Sequence, residues 1–196
     1  MAAQPKHRQA IVQAAAALFR RRGYAATGLN DIVARSRAPK GSLYHYFPQG
    51  KAQIGEAAIR FAGDLVRRTL EQIAAETPDT PALVREYVRR LAGWMEQSGW
   101  RDGCPITTVL LETAAEDEAL RQGGLEAFAA WEAVIAGKLR ADGVAPPEAD
   151  RLAGVAIGLL QGSLIRARLH RAPTPILEAG DQLAALFGKT DASPAP

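Results

Sequence analysis

The chain has 196 residues, 47% of them apolar and 23% charged, with a single cysteine and a formal net charge of +3. These proportions exclude a disordered polyelectrolyte and an internal disulfide framework, and they suit a globular protein of a reducing compartment. Alanine, leucine and arginine dominate while β-branched runs are scarce, so the composition leans helical.

The opening residues, MAAQPKHRQAIVQAAAALF, lack an uninterrupted apolar core with a cleavage site, so no secretion signal is expected. The longest apolar run, Leu152 to Ile165, is short for a bilayer span and contains Gln161 and Ser163. The expected location is cytoplasmic, with no membrane partner. Charge is unevenly spread: residues 1–60 carry ten Lys/Arg against two acids, leaving +8. Residues 61–196 carry fourteen against nineteen, leaving −5. A basic end on an acidic body points to a polyanion partner, with a solvated basic face as the alternative.

Pro5 suits the first turn of a helix in which Ile11, Ala14, Ala15, Leu18 and Phe19 recur at helical spacing up to a stop at Gly23. Thr27 is placed to cap a second helix over Gly28 to Ser36, with Leu29, Ile32 and Val33 inward and Asp31 in its first turn. Arg37-Ala38-Pro39 breaks it, and a short third helix is expected from Lys40 to Tyr46. Two short helices after a longer support helix form a helix-turn-helix, whose second helix enters the major groove. Leu43 and Phe47, four apart, share its buried face. Lys40, Gly41, Ser42, Tyr44, His45 and in part Tyr46 then face elsewhere. Lysine donates to guanine edges, tyrosine packs on thymine methyls or bonds phosphate, and Gly41 lets the backbone approach closely. Gly50 and Lys51 open the next helix, whose free N–H groups favour phosphate.

Beyond residue 51 the pattern predicts helices over Ala52–Ala75, a segment after TPDTP (77–81) through Leu83, Tyr87, Trp94 and Met95, Pro105–Ala115, Glu118–Ala141, Pro147–Arg171 and Ile176–Phe187. The tail GKTDASPAP is expected to be disordered.

The segment GYAATGLNDIVARSRAPKGSLYHYFPQGK (23–51) resembles the DNA-binding domain of the TetR/AcrR family of one-component regulators. GCPITTVLLETA and GLLQGSLIRARL are similar to its LmrA/YxaF-like branch. The resemblance implies an all-α homodimer of about nine helices, with a helix-turn-helix domain at 1–51, a ligand-binding and dimerisation domain at 52–189, and a tail at 190–196. It implies a ligand-responsive repressor on a palindromic double-stranded operator, released by a small hydrophobic or aromatic effector. Base contacts carry over to Lys40, Gly41 and Tyr44, and phosphate contacts to Thr27, Ser42, Tyr46 and Lys51. The chain departs from the family pattern in two places. Three residues rather than two separate Phe47 from Lys51, and Arg37 stands where the family usually has glycine. A positive φ there costs arginine on the order of 1 kcal/mol, and a phosphate contact from Arg37 is the expected compensation.

Trp94, Trp100, Phe128 and Trp131, with Met95, Ile106, Leu110 and Leu111, form an aromatic and apolar set accompanied by Thr107, Thr108, Glu112 and Gln161. Such a set fits either an ordinary core or a site for a flat hydrophobic ligand. Cys104, at the expected N-cap of a helix, is read as a small residue lining that site, with a reactive thiol as the alternative. Gly154, Gly158 and Gly162 make a ridge of small residues on one helix, which serves close helix approach, a ligand or internal packing. By the resemblance, the helices near 147–171 and 176–187 pair with their copies, with Leu160, Leu164, Leu183, Leu186 and Phe187 as apolar surface. His7, His45 and His170 are scattered, and no HExxH, GxSxG, P-loop or dinucleotide motif is present, so no enzyme, metal or cofactor is expected. The competing reading is a helical ligand carrier or interaction protein without sequence-specific DNA binding.

Overall fold

The computed structural model describes residues 6–188, which form nine helices and no strand. They are α1 (Lys6–Arg22), α2 (Leu29–Ser36), α3 (Lys40–Tyr46), α4 (Lys51–Glu76), α5 (Thr80–Gln97), α6 (Thr107–Thr113), α7 (Glu118–Ala141), α8 (Pro146–His170) and α9 (Thr174–Gly188). Pro5 and the 190–196 tail lie outside the described residues. Two compact units result, Met1–Asp64 with Cys104–Ala127 and Leu65–Gly103 with Phe128–Pro196. The division expected at residue 51 therefore falls elsewhere: the first half of α4, all of α6 and the start of α7 belong with the helix-turn-helix.

In the first unit, α1 presents Ile11, Leu18 and Phe19 to a core completed by Ile32, Leu43, Phe47, Ile54 and Ile59, all nearly inaccessible. Each such side chain contributes about 1.5–3 kcal/mol by leaving water. This stripe packs α1 against α2, α3 and α6. Gly23, at φ 88°, stops α1, a conformation that glycine adopts without a Cβ penalty. The cap of α2 corrects the sequence reading: Gly28, not Thr27, occupies it, and the Asp31 carboxylate accepts the Gly28 N–H at 2.9 Å. Cys104 likewise precedes rather than caps α6, whose N-cap is Ile106; the Cys104 carbonyl accepts the Thr108 N–H at 3.1 Å and the Thr108 hydroxyl at 2.9 Å.

In the second unit, α9 packs on α5 and α8. Ile176, Leu183 and Phe187 of α9 meet a core that includes Leu83, Val84, Val88, Leu152 and Leu160. Two polar side chains fix the α4–α5 corner. Lys138 Nζ donates to the carbonyls of Ala74 and Thr77 at 3.1 and 2.7 Å, satisfying acceptors left open where α4 ends. Asp142 accepts from the N–H and the hydroxyl of the fully buried Thr80 at 2.7 and 2.5 Å, while Asp79 caps α5 through Ala82 N–H at 2.7 Å.

On α8 the inner and outer stripes separate by helical phase. Leu160 and Leu164 are buried, as are Leu183 and Phe187 of α9, so these four serve the unit's own core and not an open face. Val155, Leu159, Ile165 and Leu169 of α8 and Leu177 and Leu186 of α9 are the exposed apolar residues instead. A side chain at Gly158 or Gly162 would meet nothing within 4 Å, which eliminates internal packing as their role. By length and composition alone α8 is long and apolar enough to cross a membrane, against the shorter apolar run read from sequence. Nine of its residues, from Ala149 to Ala167, are nevertheless buried against this unit.

Candidate nucleic-acid interface

The turn into the third helix is made by Arg37, which caps α2 in the left-handed region at φ 54°, ψ 21° and donates its N–H to Val33 O. Buried Ala38 follows, its N–H bonded to Ser36 Oγ at 3.3 Å, so the chain enters α3 at a fixed angle. Leu43 and Phe47 anchor α3 at 0% and 1% exposure. With that face inward, Lys40, Gly41, Tyr44 and His45 are exposed, and Ser42 and Tyr46 are half-buried. Tyr44 is 51% exposed, so its ring is available for a partner. His45 stands edge-on to Tyr46 at 4.8 Å, and the Arg8 guanidinium lies 5.5 Å from the Phe47 ring centre, tying α1 to the end of α3.

Two expected phosphate contacts are altered. Thr27 is fully buried and its hydroxyl donates to Gly23 O at 2.8 Å, so its side chain shapes the α1–α2 turn and has no surface left for a phosphate. Lys51 extends its ammonium to Ala25 O at 3.3 Å, 4.3 Å above the Tyr24 ring. Burial lowers the Lys51 pKa and the nearby Glu112 carboxylate opposes that shift. Burial also raises the Tyr24 pKa, and Asp117 adds to the rise. Glu112, expected beside the aromatic set, accepts Tyr24 N–H at 3.0 Å and Ala25 N–H at 2.6 Å. Its role lay 88 residues away in sequence, where no local pattern signals it.

The expected ligand-lining residues divide between the units. Cys104, Thr107, Thr108 and Leu111 belong to the first, and Trp94, Trp100, Phe128, Trp131 and Gln161 to the second. Leu111 is 78% exposed, which corrects its reading as an apolar wall. In the second unit Trp131 is buried and packs edge-on against half-buried Phe128 at 5.1 Å, whereas Trp94 is exposed and Trp100 occupies a positive φ of 61°. A cleft of about 500 Å³ lies between α8 and α9, lined by Gly158, Gly162, Arg166, Glu178 and Gln182 among others, and contains none of the expected ligand residues.

The chain as a whole is similar to known proteins. Residues 11–58 match the tetR family of bacterial regulatory proteins, and residues 81–182 match the C-terminal domain of LmrA/YxaF-like transcriptional regulators. The chain belongs to the TetR family. The HTH-type transcriptional regulator YxaF of Bacillus subtilis is 33% identical over 96% of this chain and 99% of its own length. LmrA of the same organism, also an HTH-type transcriptional regulator, is 30% identical over 87% and 90%. Among solved structures, the regulatory protein TetR from Rhodobacter sphaeroides superimposes with a TM-score of 0.81 at 26% identity, covering 90% of this chain and 96% of that one. A TetR transcriptional regulator from Chloroflexus aurantiacus gives 0.77 at 29% identity, covering 94% and 95%. As a TetR-family member this chain is a DNA-binding transcriptional regulator and not an enzyme.

Proposed function

We propose that this TetR-family regulator is a cytoplasmic repressor that binds a palindromic operator as a homodimer and leaves it when a small hydrophobic molecule binds. The observation that carries the DNA half is the row Lys40, Gly41 and Tyr44, exposed on a helix whose opposite face is locked by Leu43 and Phe47. Lysine and tyrosine at these places suit base edges, while Ser42, Tyr46, Arg37 and His45 flank them for backbone contacts. The Lys51 ammonium already bonds Ala25 O, so a phosphate contact from Lys51 would use its N–H at the start of α4.

Dimerisation is supported by the outer face of α8 and α9. Gly158 and Gly162 lie open on the helix that exposes Val155, Leu159 and Ile165, and a face of small and apolar residues edged by Arg166, Glu178 and Gln182 suits a second copy. A single seven-residue recognition helix reads few base pairs, so two-fold pairing supplies the remaining half-site. Repression is in keeping with a relative of 29% identity, the HTH-type transcriptional repressor DhaR of a Mycobacterium species. Trp94, Trp100, Phe128, Trp131 and Gln161 of the second unit are the residues proposed to meet the effector.

A gel shift on the protein's own upstream intergenic DNA, with unrelated DNA of equal length as competitor, tests this reading. A complex that survives competitor and is dispersed by an apolar aromatic compound is the expected result. Binding erased equally by unrelated DNA or by modest salt leaves only a basic surface, and would favour the carrier reading.

A further inference from the structure

The turn between α1 and α2 is held by side chains from distant parts of the first unit. Gly23, at φ 88°, turns the next two N–H groups, those of Tyr24 and Ala25, toward one point, and the Glu112 carboxylate fills that point. A Cβ at Gly23 would overlap Glu112 Oε1, so the glycine leaves room for the carboxylate as well as making the turn. The other polar group of the same peptide stretch, Ala25 O, accepts from Lys51 Nζ. An acid from α6 and a base from α4 thus grip three adjacent backbone groups. The Tyr24 ring, 5.1 Å from Phe19, seats the turn on the end of α1.

We propose that Glu112 is a positioning residue for DNA binding: by holding Tyr24 and Ala25 it sets the entry of α2, and so the aim of α3. The proposal rests on the reading of α3 as the recognition helix. It carries a distinctive sign. Glu112 is an acid within a basic unit, so deleting it makes that unit more positive, and electrostatics alone would tighten DNA binding. Loss of positioning weakens binding to the specific sequence instead.

Glu112→Ala and Glu112→Gln would be compared with the wild type by fluorescence anisotropy, using a labelled duplex of the protein's own upstream intergenic DNA and an unrelated duplex of the same length. Amide hydrogen exchange at Tyr24 and Ala25 would be followed in the same proteins. Glu112→Ala is expected to weaken the upstream complex about tenfold, the scale of a lost charge-assisted hydrogen bond, with the unrelated complex unchanged or tighter. Exchange at both amides should accelerate by a similar factor. Glu112→Gln should fall between, since its amide oxygen still accepts one N–H. If Glu112→Ala fails to fold, Glu112→Gln decides by the same criteria. A folded variant that binds the upstream duplex as tightly as the wild type overturns the proposal. A wild type that does not discriminate between the duplexes overturns the regulator reading and this proposal together.

Discussion

Gly180 of α9 offers a sharp test of how the second unit is packed. An ideal Cβ there would lie 3.0 Å from Val88 Cγ1, 3.2 Å from Val88 Cβ and closer still to Cγ2. Val88 is 3% exposed and β-branched on a helix, so its rotamer is nearly fixed and it cannot swing away. Gly180→Ala therefore forces α5 and α9 apart or distorts both, an overpacking of about 1–3 kcal/mol. Alanine's better helix propensity returns about 0.8–1 kcal/mol. The clash wins, for a net loss of about 1 kcal/mol, or a fall in Tm of about 2–4 °C for a chain of this size. Gly137→Ala on α7 is the control, because a Cβ there meets nothing within 4 Å and only the propensity gain should remain. Its Tm should rise by about as much as that of Gly180→Ala falls. In the double variant Gly180→Ala/Val88→Ala the two losses should not add, with a coupling of about 1 kcal/mol. Melts of the wild type, Gly180→Ala, Val88→Ala, the double variant and Gly137→Ala, followed by circular dichroism at one protein concentration, supply the values. A Gly180→Ala protein melting at or above the wild type would refute the close α5–α9 approach.

Gly158→Glu places a charge on the open face of α8 without a clash inside its own chain. Sedimentation velocity should show a folded monomer in place of a dimer, and a persistent dimer would remove this face from the interface. Arg37→Gly relieves the left-handed backbone at φ 54° and should stabilise by about 0.5–1 kcal/mol, read as a small rise in Tm. If Arg37 contacts a phosphate, the same change should lower the salt slope of DNA binding by about one, and an unchanged slope would show that it does not.

Much of the helix-turn-helix was legible because its signals are local. Gly23 stops α1, the spacing of Leu43 and Phe47 gives the buried face of α3, and the outward set Lys40, Gly41, Tyr44 and His45 follows by exclusion. The left-handed Arg37 was also foreseeable, from a departure at a single position. The cap of α2 was misassigned because Thr27 and Gly28 both suit the boundary. Only the packed turn shows the Thr27 hydroxyl spent on Gly23 O.

Helical order, the family and most element lengths follow from the sequence, because periodicity and capping chemistry act within one or two turns; α6 is the exception, spanning Thr107–Thr113 and not the expected Pro105–Ala115. Tertiary structure alone decided where each leucine of α8 points. Leu160 and Leu164 face the core while Leu159 and Ile165 face out, since in the uncharged stretch 152–165 apolar residues fall on both faces, and the phase is set by what packs on the helix. It also decided that α6 belongs with the first unit, and that Glu112 and Lys51 hold the turn at Tyr24 and Ala25. A carboxylate finds its N–H partners by proximity in space, and residues 88 apart in the chain carry no mark of that proximity until the chain has folded.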